Sequence, residues 1–137
     1  MIENLLLTKN MSLLEKGLDT ASLRNQVLAN NLANVDTPGF KRSDVAFEEE
    51  LKKAIAGKGR LTGFITNEKH IPIGGSSKIG LNPKVVIDKT TTMRNDGNNV
   101  DIDREMAALS KNSIMYNALV QEISGEFTKI KSAIEGR

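Results

Sequence analysis

A chain of 137 residues with 19 basic and 17 acidic side chains, one histidine and no cysteine has the length of one domain and excludes disulfides, thiol catalysis and cysteine-based zinc sites. Its charges are spread along the chain and aromatics are only 4%, so nucleic-acid binding, which needs a clustered phosphate-contacting surface and often stacking rings, has no support. Met1-Ile2-Glu3-Asn4 lacks the basic start of a secretory leader, Leu5-Leu6-Leu7 is too short for its apolar region, and no apolar run approaches the ~20 residues of a membrane span.

Residues 1–35 predict one long helix. Read in sevens, Leu7, Leu14, Ala21, Leu28 and Val35 share one heptad position, and Met11, Leu18, Asn25 and Leu32 share the other. That is an a/d seam with one polar member, the pattern of a helix packed lengthwise on another helix. Gly17 falls inside it, as a point of close approach or a tolerated surface glycine. The helix is expected to stop near Asn34 to Asp36, because Pro38 drives Thr37 out of helical geometry and Pro38-Gly39 favours a turn. Phe40 after the turn has the size to pack back on the helix end.

Residues 36–100 form an irregular middle segment. Asp44 to Ala56 is a short amphipathic helix candidate, with Asp44 as cap and Val45, Leu51 and Ile55 as its apolar edge. From Leu61 to Asn99 glycine and proline interrupt the chain too often for long elements, leaving short strands at Phe64-Ile65 and Val85-Val86-Ile87. So long a stretch with little structure of its own reads as a binding loop, or as one that orders against a partner.

Residues 101–137 predict the second long helix. Asp101, Asp103 and Glu105 load its start with negative charge, Lys129, Lys131 and Arg137 load its end with positive charge, and Gly136 is a natural stop. Ile102, Leu109, Tyr116, Ile123 and Ile130 share one heptad position, and Met106, Ser113, Val120, Phe127 and Ile134 the other. The expected fold is therefore mainly α: the N- and C-terminal helices paired as an antiparallel coiled-coil-like hairpin, with a short helix and short β-strands between them. Opposing the helix centres brings Asn25 to Ser113, and their contact is expected to set the register.

Two helices cannot enclose a core, and apolar residues lie off both seams. Leu6, Leu13 and Val27, joined by Leu23, form a second stripe on the first helix; Ile114, Met115 and Leu119 do so on the second. Either the middle segment folds back over them or other protein molecules do, and contiguous exposed apolar surface usually marks an interface.

No pattern of catalysis emerges. Asp96 to Asp103 is rich in oxygen ligands but lacks the order of a calcium loop, so a turn and helix cap is the better reading. Gly74-Gly75-Ser76-Ser77-Lys78 lacks the spacing of a phosphate-binding loop. His70 has no second histidine and no nucleophile marked for it, and Glu48-Glu49-Glu50 reads as a solvated face. The chain is expected to be no enzyme, with no cofactor, metal or small-molecule substrate.

The run from Asn25 through Asn30, Asn31 and Asn34 to Thr37-Pro38-Gly39-Phe40-Lys41 closely resembles the N-terminal motif of the axial proteins of the bacterial flagellum, the rod, hook and hook-associated subunits. Asp96 to Met106, continuing through Asn112, Tyr116 and Gln121, resembles the C-terminal half of a short basal-body rod member of that family. The resemblance implies that many subunits stack helically around an export channel, leaving the cytoplasm by the flagellar type III apparatus without a cleaved leader. It implies a place in the periplasmic rod of the basal body, among copies of itself and other rod proteins. A rod-base adaptor, the membrane ring and the export gate would be its neighbours, and its work would be to carry torque. The off-seam stripes would then bind neighbouring subunits, Asn30, Asn31 and Asn34 would hydrogen-bond between subunits, with helix-end capping an equal reading of Asn34, and the Thr37 to Phe40 turn would fix how the middle segment leaves the inner tube. The alternatives are another short proximal rod subunit, or a cytoplasmic coiled-coil adaptor forming a closed oligomer.

Overall fold

The computed structural model describes residues 9–49, 51, 52 and 82–136. Helix α1 runs Lys9–Ala33, strand β1 Ser43–Ala46, strand β2 Lys84–Ile87 and helix α2 Ile102–Glu135. The sequence readings at Leu6, Leu7, Ile55, Phe64-Ile65, His70 and Gly74 to Lys78 lie outside the described residues. None of the described helices is long and apolar enough to cross a membrane.

The helix ends follow local chemistry. Asn34 folds its amide back on the Asn30 carbonyl at 2.8 Å, and the Thr37 N–H closes onto Asn34 O at 3.1 Å. Gly39 then takes φ +71°, a left-handed conformation open to glycine at no steric cost. At the other helix, the Asp101 carboxylate accepts from the backbone N–H groups of Asp103 and Arg104, and Gly136 ends α2 at φ +69°. Of the basic residues expected at its end, Lys129 and Lys131 lie before the last turn, paired with Glu126 and Glu135, and Arg137 lies outside the described residues.

The two helices pack antiparallel. Three contacts fix the register: Asn31 with Glu105, Asn112 with the Ala21 carbonyl, and Gly17, where an added Cβ would lie 3.4 Å from Leu119. Ala21 and Leu28 are buried between them, while Met11, Leu14, Leu18, Leu32, Leu109, Ile123 and Ile130 are half-buried.

The inward face of α2 is offset from the expected seam. Its buried or half-buried positions are Glu105, Asn112, Leu119 and Glu126, together with Ala108, Leu109, Ile123, Gly125 and Ile130. Met106, Ser113, Val120 and Phe127, each one residue later in the heptad, are exposed, as is Tyr116. One residue is about 100° of rotation, enough to carry that row to the flank of the pair. Asn25 on α1 is likewise exposed. The expected Asn25–Ser113 contact does not form, and Asn112 holds the register in its place.

Strands β1 and β2 pair antiparallel, Ser43 opposite Ile87 and Ala46 opposite Lys84. The chain turns helical only at Glu48, so Asp44, expected as a helix cap, lies in a strand. Alternation explains it: Val45 and Phe47 are buried while Asp44 and Ala46 are exposed, a period of two. The sheet sits on one side of the helix pair. Because the helices are antiparallel, the same sense of rotation on each brings Met11 and Leu18 of α1, and Met106, Val120 and Phe127 of α2, to the opposite side.

Candidate functional site: an asparagine clasp and an uncovered apolar face

Where the chain leaves α1 and where it enters α2, buried amides do work that backbone usually does. Asn31, fully buried, accepts from the Ser43 N–H at 2.9 Å and donates to the Ser43 carbonyl at 2.8 Å. It thus pairs with β1 as a neighbouring strand would. Its remaining amide hydrogen goes to the Glu105 carboxylate at 2.9 Å. Arg24 caps the next outward carbonyl of β1, Val45 O, at 3.1 Å.

Asn99 closes the other end of the ladder. It accepts from the Arg42 N–H at 2.7 Å and donates to Asp88 O at 3.0 Å, filling the gap beside the Asp88 N–H to Arg42 O bond. Asn98 donates to the carbonyls of Asn34, Val35 and Thr37 and accepts from the Val100 N–H, satisfying acceptors that the end of α1 leaves open. Gly97, at φ +81°, brings this segment against Gly39, whose N–H donates to Asp96 O at 2.9 Å. Lys41 reaches across to Thr91 O and Gly97 O.

At the centre is one buried charge. Glu105 is 1% exposed and bonds Arg42 Nε at 3.0 Å, so the carboxylate is paired and hydrogen-bonded, the condition under which burial of charge is tolerated. Burial disfavours the Arg42 cation, but Glu105 and then Asp44 outweigh that and raise its pKa. Glu48 is pushed up by burial, yet its own backbone N–H and Arg24 draw it below the usual carboxylate range. Asp88 is held down to about 2 by the Thr90 N–H and hydroxyl and the Thr91 hydroxyl.

A cleft of about 760 Å³ opens between the sheet and α2, lined among others by Leu28, Val45, Phe47, Ala108 and Met115. Of the acidic residues lining it, Asp44 and Glu48 are paired with Arg42 and Arg24, and Glu49 is the third. Among the described residues no cluster of three His, Cys, Asp or Glu groups could hold a metal.

The expected interface residues separate into two groups. Leu13, Ile114 and Met115 are exposed, as is Asn30, and Leu23 and Val27 are half-buried. Asn31 is a correction: both its amide hydrogens and its carbonyl oxygen are engaged inside the chain, while Leu119 is half-buried where it meets Gly17. In the turn, Thr37, Pro38 and Gly39 are exposed and Phe40 is half-buried. The clasp residues Arg42, Asn98, Asn99 and Glu105 were not singled out as a site. The available signal was Glu105 and Asn112 seven apart, polar residues on the heptad position that also carries Leu119.

The model of the family described as flagella basal body rod protein matches residues 11–41, which span α1, the turn and the start of the clasp. A flagellar basal body rod protein FlgB of Borreliella burgdorferi is 40% identical, over 86% of this chain and 90% of that protein. This chain belongs to the FlgB family of flagellar basal body rod proteins. The FlgB proteins of Bacillus subtilis, at 34% identity over 90% of this chain and 91% of theirs, and of Escherichia coli, at 30% over 88% and 89%, agree. FlgB likeness therefore extends over both helices and the clasp, well past the segment that the family model covers.

Proposed function

We propose that this chain is a structural subunit of the proximal rod, assembled helically around the export channel, joining the rod to the membrane ring and export gate and transmitting torque. The observation that carries this is the apolar face that the described residues leave open on the side of the helix pair away from the sheet. Met106, Tyr116, Val120 and Phe127 are between 40% and 56% exposed along a stripe regular enough to read as a seam. Water is a poor partner for such a row; helices of adjoining subunits are a good one. The clasp supports the same reading, since a subunit under torque needs its exit turn fixed to both helices. In this reading the protein is exported without a cleaved leader, occupies the periplasmic rod among other rod proteins and a rod-base adaptor, and catalyses nothing.

The test is Phe127→Asp and Val120→Asp, made singly. Each is expected to leave the purified chain folded and to abolish rod assembly and swimming; unchanged motility in both would remove the assignment. Electron microscopy of concentrated protein with its rod partners separates an open polymer from the closed oligomer of an adaptor.

A further inference from the structure

The two edges of the small sheet differ. In the β1–β2 ladder the bonded pairs are Asp44 with Val86 and Ala46 with Lys84, continuing the Asp88 to Arg42 bond. Antiparallel geometry then turns the backbone groups of Ser43 and Val45 away from β2, and those of Val85 and Ile87 away from β1. On β1 that outward edge is sealed by Asn31 and Arg24. On β2 nothing among the described residues meets it. Val85, Val86 and Ile87 are 49%, 51% and 51% exposed, although all three are β-branched and sit in a formed strand.

This edge is also rigidly held. Asp88, directly after the strand, accepts from Thr90 and Thr91 through its carboxylate and from Asn99 through its carbonyl. Exposed edges are ordinarily blunted because they invite pairing. Here one edge is sealed by Asn31 and Arg24, and the other, among the described residues, is left apolar and open.

We infer that the free edge of β2 receives an extended apolar segment of the adjoining rod subunit, adding a third strand through the backbone groups of Val85 and Ile87. This rests on the rod reading above. Unpaired N–H and C=O groups at alternate residues require an extended peptide. Lys84 opens the strand and Lys89 follows it, both exposed and neither in an ion pair among the described residues, so the incoming segment carries acidic residues at its ends. Self-pairing of two β2 strands would set Lys84 opposite an Asp88 carboxylate already bonded to two threonines. It would also close about a two-fold axis and stop growth.

Ile87→Pro tests this, because it deletes an outward N–H and leaves the β1 ladder whole; proline is tolerated at such edge positions. Against Ile87→Val as control, incorporation into basal bodies is expected to fall at least ~10-fold; equal incorporation would overturn the proposal. Should Ile87→Pro unfold the chain, hydrogen exchange of the wild type decides. The Val85 and Ile87 amides are expected to exchange at least ~100-fold more slowly in isolated basal bodies than in the free protein. Equal exchange in basal bodies that contain the protein overturns strand addition alone. Absence of the wild-type protein from basal bodies overturns the rod reading with it. A β2-to-β2 dimer of the free protein, lost in Ile87→Pro, would also overturn it.

Discussion

The two ends of the helix pair are built on opposite principles. Around Asn31, Glu105 and Asn98 the chain is joined by buried, directional bonds between residues far apart in sequence, 74 positions in the case of Asn31 and Glu105. From Gly17 and Leu119 outward the helices hold each other by a narrow band of half-buried side chains, and Val120, Phe127 and Ile134 stay exposed. Hydrogen bonds of the first kind admit one geometry, whereas apolar contact of the second kind admits many partners. The clasp is closed within the chain; the far limb leaves Val120, Phe127 and Ile134 exposed, which is the surface that the proposed assembly would cover.

Glu105→Ala should break that contrast most severely. It strands a mostly buried Arg42 and frees one hydrogen of Asn31, and a loss of roughly 3–5 kcal/mol in urea unfolding is expected. Asn31→Ala exposes the edge of β1 and leaves buried groups unmatched, at about 1–3 kcal/mol for such a group. Combined with Glu105→Ala the two losses should add to less than their sum, because both act on one network.

Asn112→Leu sharpens the comparison. The Asn112 Oδ1 is buried with no hydrogen-bond partner among the described residues, and the Ala21 carbonyl that its Nδ2 donates to is also placed for its own helical bond. Replacement by a similar apolar volume should change the unfolding midpoint little or raise it, within about 1 kcal/mol. On the far limb, Phe127→Asp should alter stability by only ~0.5 kcal/mol, as exposed substitutions usually do, while removing assembly.

The smallest effect is one of pH. Asp88 has its carboxyl lowered from 3.8 to about 2 by Thr90 and Thr91. A depressed carboxylate contributes stability that is present above its unfolded pKa and lost as pH falls through its folded one. The end of β2 should therefore loosen between about pH 4 and pH 2, seen as faster amide exchange at Thr90 and Thr91, and Asp88→Asn should abolish that pH dependence.

Much of this was legible in the chain itself. Pro38 and Gly39 after an unbroken heptad rhythm stop α1, Asp101 and Gly136 bracket α2, and Val85 to Ile87 falls in a strand. These are short-range effects of sterics and capping, so neighbouring residues suffice to read them. The motif from Asn25 to Lys41 likewise carried the family. Beyond that point the reading failed in a consistent way: the apolar row Met106, Val120 and Phe127 was assigned inward, and Asn31 outward.

The sequence alone determined two long helices, the turn between α1 and the middle segment, and kinship with flagellar rod proteins. Which stripe each helix turns to its mate was decided only by the tertiary structure. Periodicity records that a helix has an apolar side, not which molecule covers it, and a subunit that assembles carries one such side for itself and another for its neighbours. Glu105, Asn112 and Asn31 won the interior because fixed partners waited there, the guanidinium of Arg42, the carbonyl of Ala21 and the backbone of Ser43, none of them near in sequence.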